Sequence, residues 1–172
     1  MPSMKRLIAI LLLLGCALAT YAQEKRGPST PEERAKAVQI AKALENDPLA
    51  ATLHPEREWL IKWLIEVPDI TITVCGPVFP YEKKYKYASD LLAISMGGMA
   101  TSNIEHPETA KDGAVVGQAG LESVLRAYTK LLETHPKDHS KNLDEWLSRQ
   151  KDGTLPEQFR KAWSDSCKNA PK

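Results

Sequence analysis

The sequence predicts an all-α fold, a single-domain bundle of about five or six helices with one extended segment and one disulfide. Three observations carry this. Apolar residues recur at three- and four-residue spacing through most of the chain, cap and breaker residues punctuate that period, and one short stretch alternates like a strand. Of the 172 residues, 42% are hydrophobic and 26% charged, with 23 Lys+Arg against 22 Asp+Glu. That is an ordinary globular balance. Phosphate-backbone binding and attachment to anionic membranes each need a basic surplus, so nucleic acid is not an expected partner.

Residues 1–22 read as a secretory signal. Lys5 and Arg6 give a positive start, residues 7–14 an unbroken apolar core, and Thr20-Tyr21-Ala22 small residues at both cleavage positions. A stable membrane span needs about 20 apolar residues, so this core is too short to cross and no transmembrane span is expected. Leu13-Leu14-Gly15-Cys16 resembles a lipoprotein signal with Cys16 as the acylated residue. The apolar continuation to Ala22 favours conventional cleavage before Gln23. Cleavage takes Lys5 and Arg6 with it, leaving 150 residues with 21 basic against 22 acidic side chains. The chain is therefore expected to be exported, periplasmic or secreted, with residues 23–30 a polar leader and residues 31–172 one helical domain.

Export also fixes the cysteine arithmetic. Cleavage removes Cys16 and leaves Cys75 and Cys167, an even pair 92 positions apart, which predicts one structural disulfide in an oxidising compartment.

Thr30-Pro31-Glu32-Glu33 is a capping box with proline at the first helical position, predicting a helix from Pro31 to about Asn46 with Ala37, Ile40, Ala41 and Leu44 inward. Residues 55–67, with Trp59, Leu60, Ile61, Trp63, Leu64 and Ile65, predict a central helix buried nearly all round. Pro68 ends it, and Ile70-Thr71-Ile72-Thr73-Val74 then alternates like a strand. One strand makes no sheet, so an extended segment laid across the helices is expected, delivering Cys75 to its partner.

Helical spacing returns from about Glu82 to Ile104 and again from about Gly113 to Thr134, each stretch concentrating small residues on one stripe. Glycine costs a helix up to about 1 kcal/mol relative to alanine, so its repetition predicts close packing of these two helices, Gly97 facing Gly117. Asn142-Leu143-Asp144-Glu145 is expected to cap a short helix closed by Gly153, and Thr154-Leu155-Pro156-Glu157 the last one.

The chain has no nucleophile elbow, phosphate loop, dinucleotide fingerprint or paired C-x-x-C, and no cofactor or metal is called for. His135 and His139 flank Pro136, which breaks the helical spacing a metal pair needs, so they read as an interhelical turn. The best binding candidate is Tyr81, Lys83, Lys84, Tyr85, Lys86 and Tyr87, which interleaves aromatics with cations. The expected function is a non-catalytic binding or interaction module of the cell envelope, with an envelope protein, a glycan or an anionic ligand as partner. The alternative is a small secreted hydrolase whose histidines and glutamates, among His54, His106, His135 and His139, converge in the fold.

Overall fold

A computed structural model describes residues 26–78 and 84–167. The signal, residues 23–25 of the leader, and Tyr81 and Lys83 of the binding candidate lie outside these residues. The described residues form six α-helices and no strand. These are α1 (Pro31–Asn46), α2 (His54–Glu66), α3 (Ala88–Glu105), α4 (Gly113–Thr134), α5 (Lys141–Lys151) and α6 (Leu155–Ser166), with single 3-10 turns at Ala51–Leu53 and Gly76–Val78. Among them no helix is long and apolar enough to cross a membrane.

The predicted capping box starts α1. Thr30 Oγ1 accepts from the Glu33 amide at 3.2 Å and the Glu33 carboxylate accepts from the Thr30 amide at 3.0 Å. Ala37, Ile40, Ala41 and Leu44 are its buried positions, as the spacing requires. The end of the leader is fastened to the bundle. Arg26 pairs with Glu33 and reaches the Trp63 carbonyl, while the Ser29 amide and hydroxyl both donate to Asp69 at 2.8 Å.

The central helix is α3 and not α2, which corrects the reading from hydrophobicity. α2 buries Leu60, Trp63 and Leu64 but leaves Ile65 76% exposed. Trp59 stacks on Trp63 at 5.8 Å and is covered on its outer face by the Lys36 ammonium, 4.0 Å from the ring. α3 contacts α1, α2 and α4, and its buried set of Ala93, Ser95, Gly97, Gly98, Ala100 and Ser102 lets three neighbours approach at once. Leu91, Ile94 and Met99 of the same helix fill the core between these close approaches.

α3 starts at Ala88, six residues later than the spacing predicts, and Lys84–Tyr87 form turns ahead of it. The reason is long-range: the Tyr85 and Tyr87 side chains reach to Asp138 (below). α3 and α4 form the most extensive helix–helix interface, as expected, through other glycines than expected. Gly98 faces Ser123 and Ala119, and Gly120 faces Ser95 and Met99. Gly97 seats Ala41 and Leu60, and Gly117 seats Trp163 and Phe159. Ser140, not Asn142, caps α5, its hydroxyl accepting from the Leu143 amide at 3.4 Å. Gly153 turns the chain at φ +77°, where a side chain would be strained.

Cys75 and Cys167 are disulfide-bonded. Both are buried, and their bond ties residues 70–75 to the end of α6, while the Gly76–Val78 turn packs against the same helix.

Candidate functional site

Residues 70–75 run without helix, turn or bend across the bundle. Ile70 and Cys75 are buried and Ile72 packs on the core, while Thr71 and Val74 are exposed. Along this segment lies an open cleft of about 630 Å³. Its walls are Ile70, Thr71 and Thr73 of the segment, Pro107, Ala110 and Lys111 of the α3–α4 linker, Val116 of α4 and Trp163 of α6. Ligand sites commonly measure about 300–1,000 Å³, so the size fits a binding cleft.

Each wall has a local cause. Trp163 lies over α4 where Gly113 and Gly117 carry no side chain. A Cβ there would stand 2.9 Å and 2.5 Å from the indole. Glycine at these two positions thus seats the aromatic wall. Asp112 caps α4, its carboxylate accepting from the Ala114 and Val115 amides at 3.0 and 3.2 Å, and it faces Arg160 at 3.4 Å. Burial opposes ionisation of Asp112, but these amides and Arg160 outweigh it and hold the carboxyl below its usual range. The helix start is therefore occupied by the protein's own anion.

Asp69 anchors the head of the segment. Partial burial raises its carboxyl and the Ser29 amide, the Ser29 hydroxyl and Arg34 lower it, with a net shift below the usual carboxylate range. Arg34 binds it at 2.7 Å. On the floor of the cleft, Asn103 is 6% exposed and its Nδ2 donates to the Thr71 carbonyl at 2.6 Å. Its Oδ1 has no partner.

No family model matches this chain, and no curated protein or solved structure does either. The site is read from its chemistry alone.

The tyrosine–lysine corner that the sequence singled out is closely engaged with the 135–140 turn. The Tyr85 hydroxyl donates to the Asp138 carbonyl at 2.8 Å, the Tyr87 hydroxyl to the Asp138 carboxylate at 2.7 Å, and Lys86 pairs with that carboxylate at 2.6 Å. Tyr87 also meets His135 edge to face at 5.8 Å. Hydrogen bonds from Lys86 and Tyr87 hold the Asp138 carboxyl below its usual range, and the same bonds raise the Lys86 ammonium. Burial, then the neighbouring Tyr128 and Tyr87 phenols, push the Tyr85 phenol up. Lys84 remains exposed.

The histidines are placed apart. His54 is exposed at the start of α2, His106 faces Glu108 at 3.6 Å, His135 meets Tyr87, and His139 Nδ1 lies 3.1 Å from Asp144. Among the described residues no three His, Cys, Asp or Glu side chains gather as a metal site would require. A second cleft of about 540 Å³ opens between α1, α3 and α4. Its charged rim is satisfied internally: Lys42 pairs with Glu105 at 3.1 Å, Arg126 forks onto Glu45 at 2.7 and 2.8 Å, and Gln118 donates to Glu122 at 2.8 Å.

The cleft beside residues 70–75 was missed in the sequence because its walls come from four places in the chain. One signal did point there. Ile70-Thr71-Ile72-Thr73-Val74 is the one strand-like run in a helical sequence, and it has no second strand to pair with.

Proposed function

We propose that the protein is a non-catalytic binding module, exported to the cell envelope or medium, whose recognition surface is the cleft beside residues 70–75. The observation that carries this is the cleft itself: an aromatic wall, a backbone segment without helix, turn or bend, and the Asn103 amide that clamps it meet around one open volume. Apolar walls with a few placed polar groups are the usual make-up of a binding site. No histidine is among the residues that line this cleft, which supports binding over hydrolysis there, since acid–base work needs such groups within hydrogen-bond reach of one substrate. Export rests on the signal pattern in residues 1–22, and the disulfide is in keeping with an oxidising compartment.

Retention of the purified protein on isolated envelope material tests the reading. Ala110→Trp places a bulky ring in the cleft from its linker wall, where Ala110 is half-buried. Retention is expected to fall to background while the melting temperature holds. Exchanging Lys84 and Lys86 for glutamine is the contrasting variant. Loss of retention there, with Ala110→Trp retained like the parent, would move the binding surface to the tyrosine–lysine corner and overturn the reading.

A further inference from the structure

The cleft offers backbone, and backbone selects a class of ligand. Among the described residues, the amide groups of residues 70–75 donate to no protein acceptor, and two of their carbonyls are engaged: Thr71 by Asn103 and Cys75 by the Val78 amide. A β-branched run with unpaired N–H and C=O groups is the chemistry of an open sheet edge. It is an edge in a molecule whose described residues contain no sheet.

We infer that the cleft binds an extended polypeptide segment, which adds itself as a strand along residues 71–74. This inference rests on the cleft being the binding surface and names what fills it. In extended backbone the N–H and C=O of one residue point to the same edge and those of its neighbours to the other. Thr71 and Thr73 therefore share an edge. They line the cleft together, and the Thr71 carbonyl reaches Asn103 on the cleft floor. The Thr73 amide and carbonyl are the free pair on that edge, matching what one residue of an antiparallel partner exchanges.

Trp163, Val116 and Pro107 give apolar surface for the peptide side chains on one face of the added strand, because alternate residues of a strand face opposite ways.

The edge is held before any ligand arrives. Asp69 is fastened to Ser29 and Arg34 at its head, Asn103 clamps Thr71, and the disulfide fixes Cys75. A preorganised strand avoids most of the ordering cost of binding. An anionic ligand would find Lys111 as the cation of the cleft without an ion pair among the described residues. Arg34 is neutralised by Asp69, and the carboxylate of Asp112 occupies the start of α4.

The test uses the full mature chain and a positional-scanning library of capped heptapeptides, followed by N-methylation of the selected peptide one residue at a time. Binding is expected to be blocked by Ala110→Trp. It is expected to weaken about two- to tenfold when the residue facing Thr73 is N-methylated and to change little at the alternate positions, the range that one lost backbone bond gives. Thr73→Pro, which deletes the free amide, should weaken binding likewise, while Thr73→Ala retains it. A flat N-methyl scan overturns the strand pairing. Failure of every peptide pool, with envelope retention still lost in Ala110→Trp, overturns the peptide and leaves the cleft as the binding surface. Peptide binding and retention both unaffected by Ala110→Trp would overturn the cleft reading and this inference with it.

Discussion

Gly98→Ala is the sharpest test of how the bundle is held. A Cβ added at Gly98 stands 2.8 Å from the Ser123 hydroxyl and 3.0 Å from the Ala119 carbonyl oxygen, and closer still to Ser123 Cβ. Comfortable carbon contacts lie near 3.5–4.0 Å, so α3 and α4 must part by about 1 Å. Neither obstacle can step aside. The Ala119 oxygen is helix backbone, and Ser123 is fully buried with its hydroxyl against the Glu45 carboxylate and the Ile94 carbonyl. Parting the helices also loosens Gly120 from Ser95 and Met99 nearby, so the cost belongs in the upper half of the usual overpacking range, about 2–3 kcal/mol. Alanine returns about 1 kcal/mol as the better helix former. The net expectation is a loss of about 1–2 kcal/mol, or a fall in melting temperature of about 2–8 °C at this chain size. Urea unfolding of Gly98→Ala beside Gly27→Ala reads it, because a Cβ at Gly27 meets nothing within 4 Å. A Gly98→Ala midpoint equal to or above the parent's would show that the helices do not meet where described.

The remaining expectations can be checked together. Thiol titration of the denatured, unreduced protein should find none. The double variant Cys75→Ser and Cys167→Ser should lose on the order of 4–5 kcal/mol of stability, because the bond closes a loop spanning 92 positions. Asp69 gives an acid-sensitive contribution. Its carboxyl titrates lower in the folded protein than in the unfolded chain, so the stability it adds is complete above the ordinary carboxylate value of about 4 and is lost as pH falls through the folded value. Asp69→Asn should therefore flatten the pH dependence of unfolding below about pH 4, and an unchanged slope would show that Ser29 and Arg34 do not hold the ionised form. The exported protein should begin at Gln23 without lipid, as intact mass would show. A diacylglycerol-modified Cys16 would overturn that.

What could be read from the sequence was local, and what could not was the choice of partner. Thr30, Pro31 and Glu33 define the start of α1 because a capping box is made within four residues. Cysteine parity gave the disulfide because few pairings were open. The run from Trp59 to Ile65 marked a helix but not its place, since hydrophobicity does not say how many neighbours will cover it. The Lys36 stem over Trp59 and the open face at Ile65 are decisions of the whole fold. In the same way the stripes of small residues named the right pair of helices but not which glycines meet, and Gly117 turned out to seat an indole 46 residues away in sequence. Tyr87 stands four residues before Leu91, a helical spacing, yet Asp138 claims the hydroxyls of Tyr85 and Tyr87 and α3 starts at Ala88.

The disulfide joins these long-range choices to the proposed function. Cys75 closes the straight segment, and Cys167 ends α6, its amide bonded to the Trp163 carbonyl at 2.8 Å. One covalent bond therefore fixes the backbone wall of the cleft and, one turn away, its aromatic wall. The segment makes no ladder of its own, so its order depends on its anchors at Asp69, Thr71 and Cys75 rather than on secondary structure. Ile70 and Ile72 of this connection pack on the core, while Thr71 and Thr73 line the cleft. Held by the Asn103 amide on one side and a disulfide at its end, the segment has the rigidity that the proposed strand addition asks of an edge.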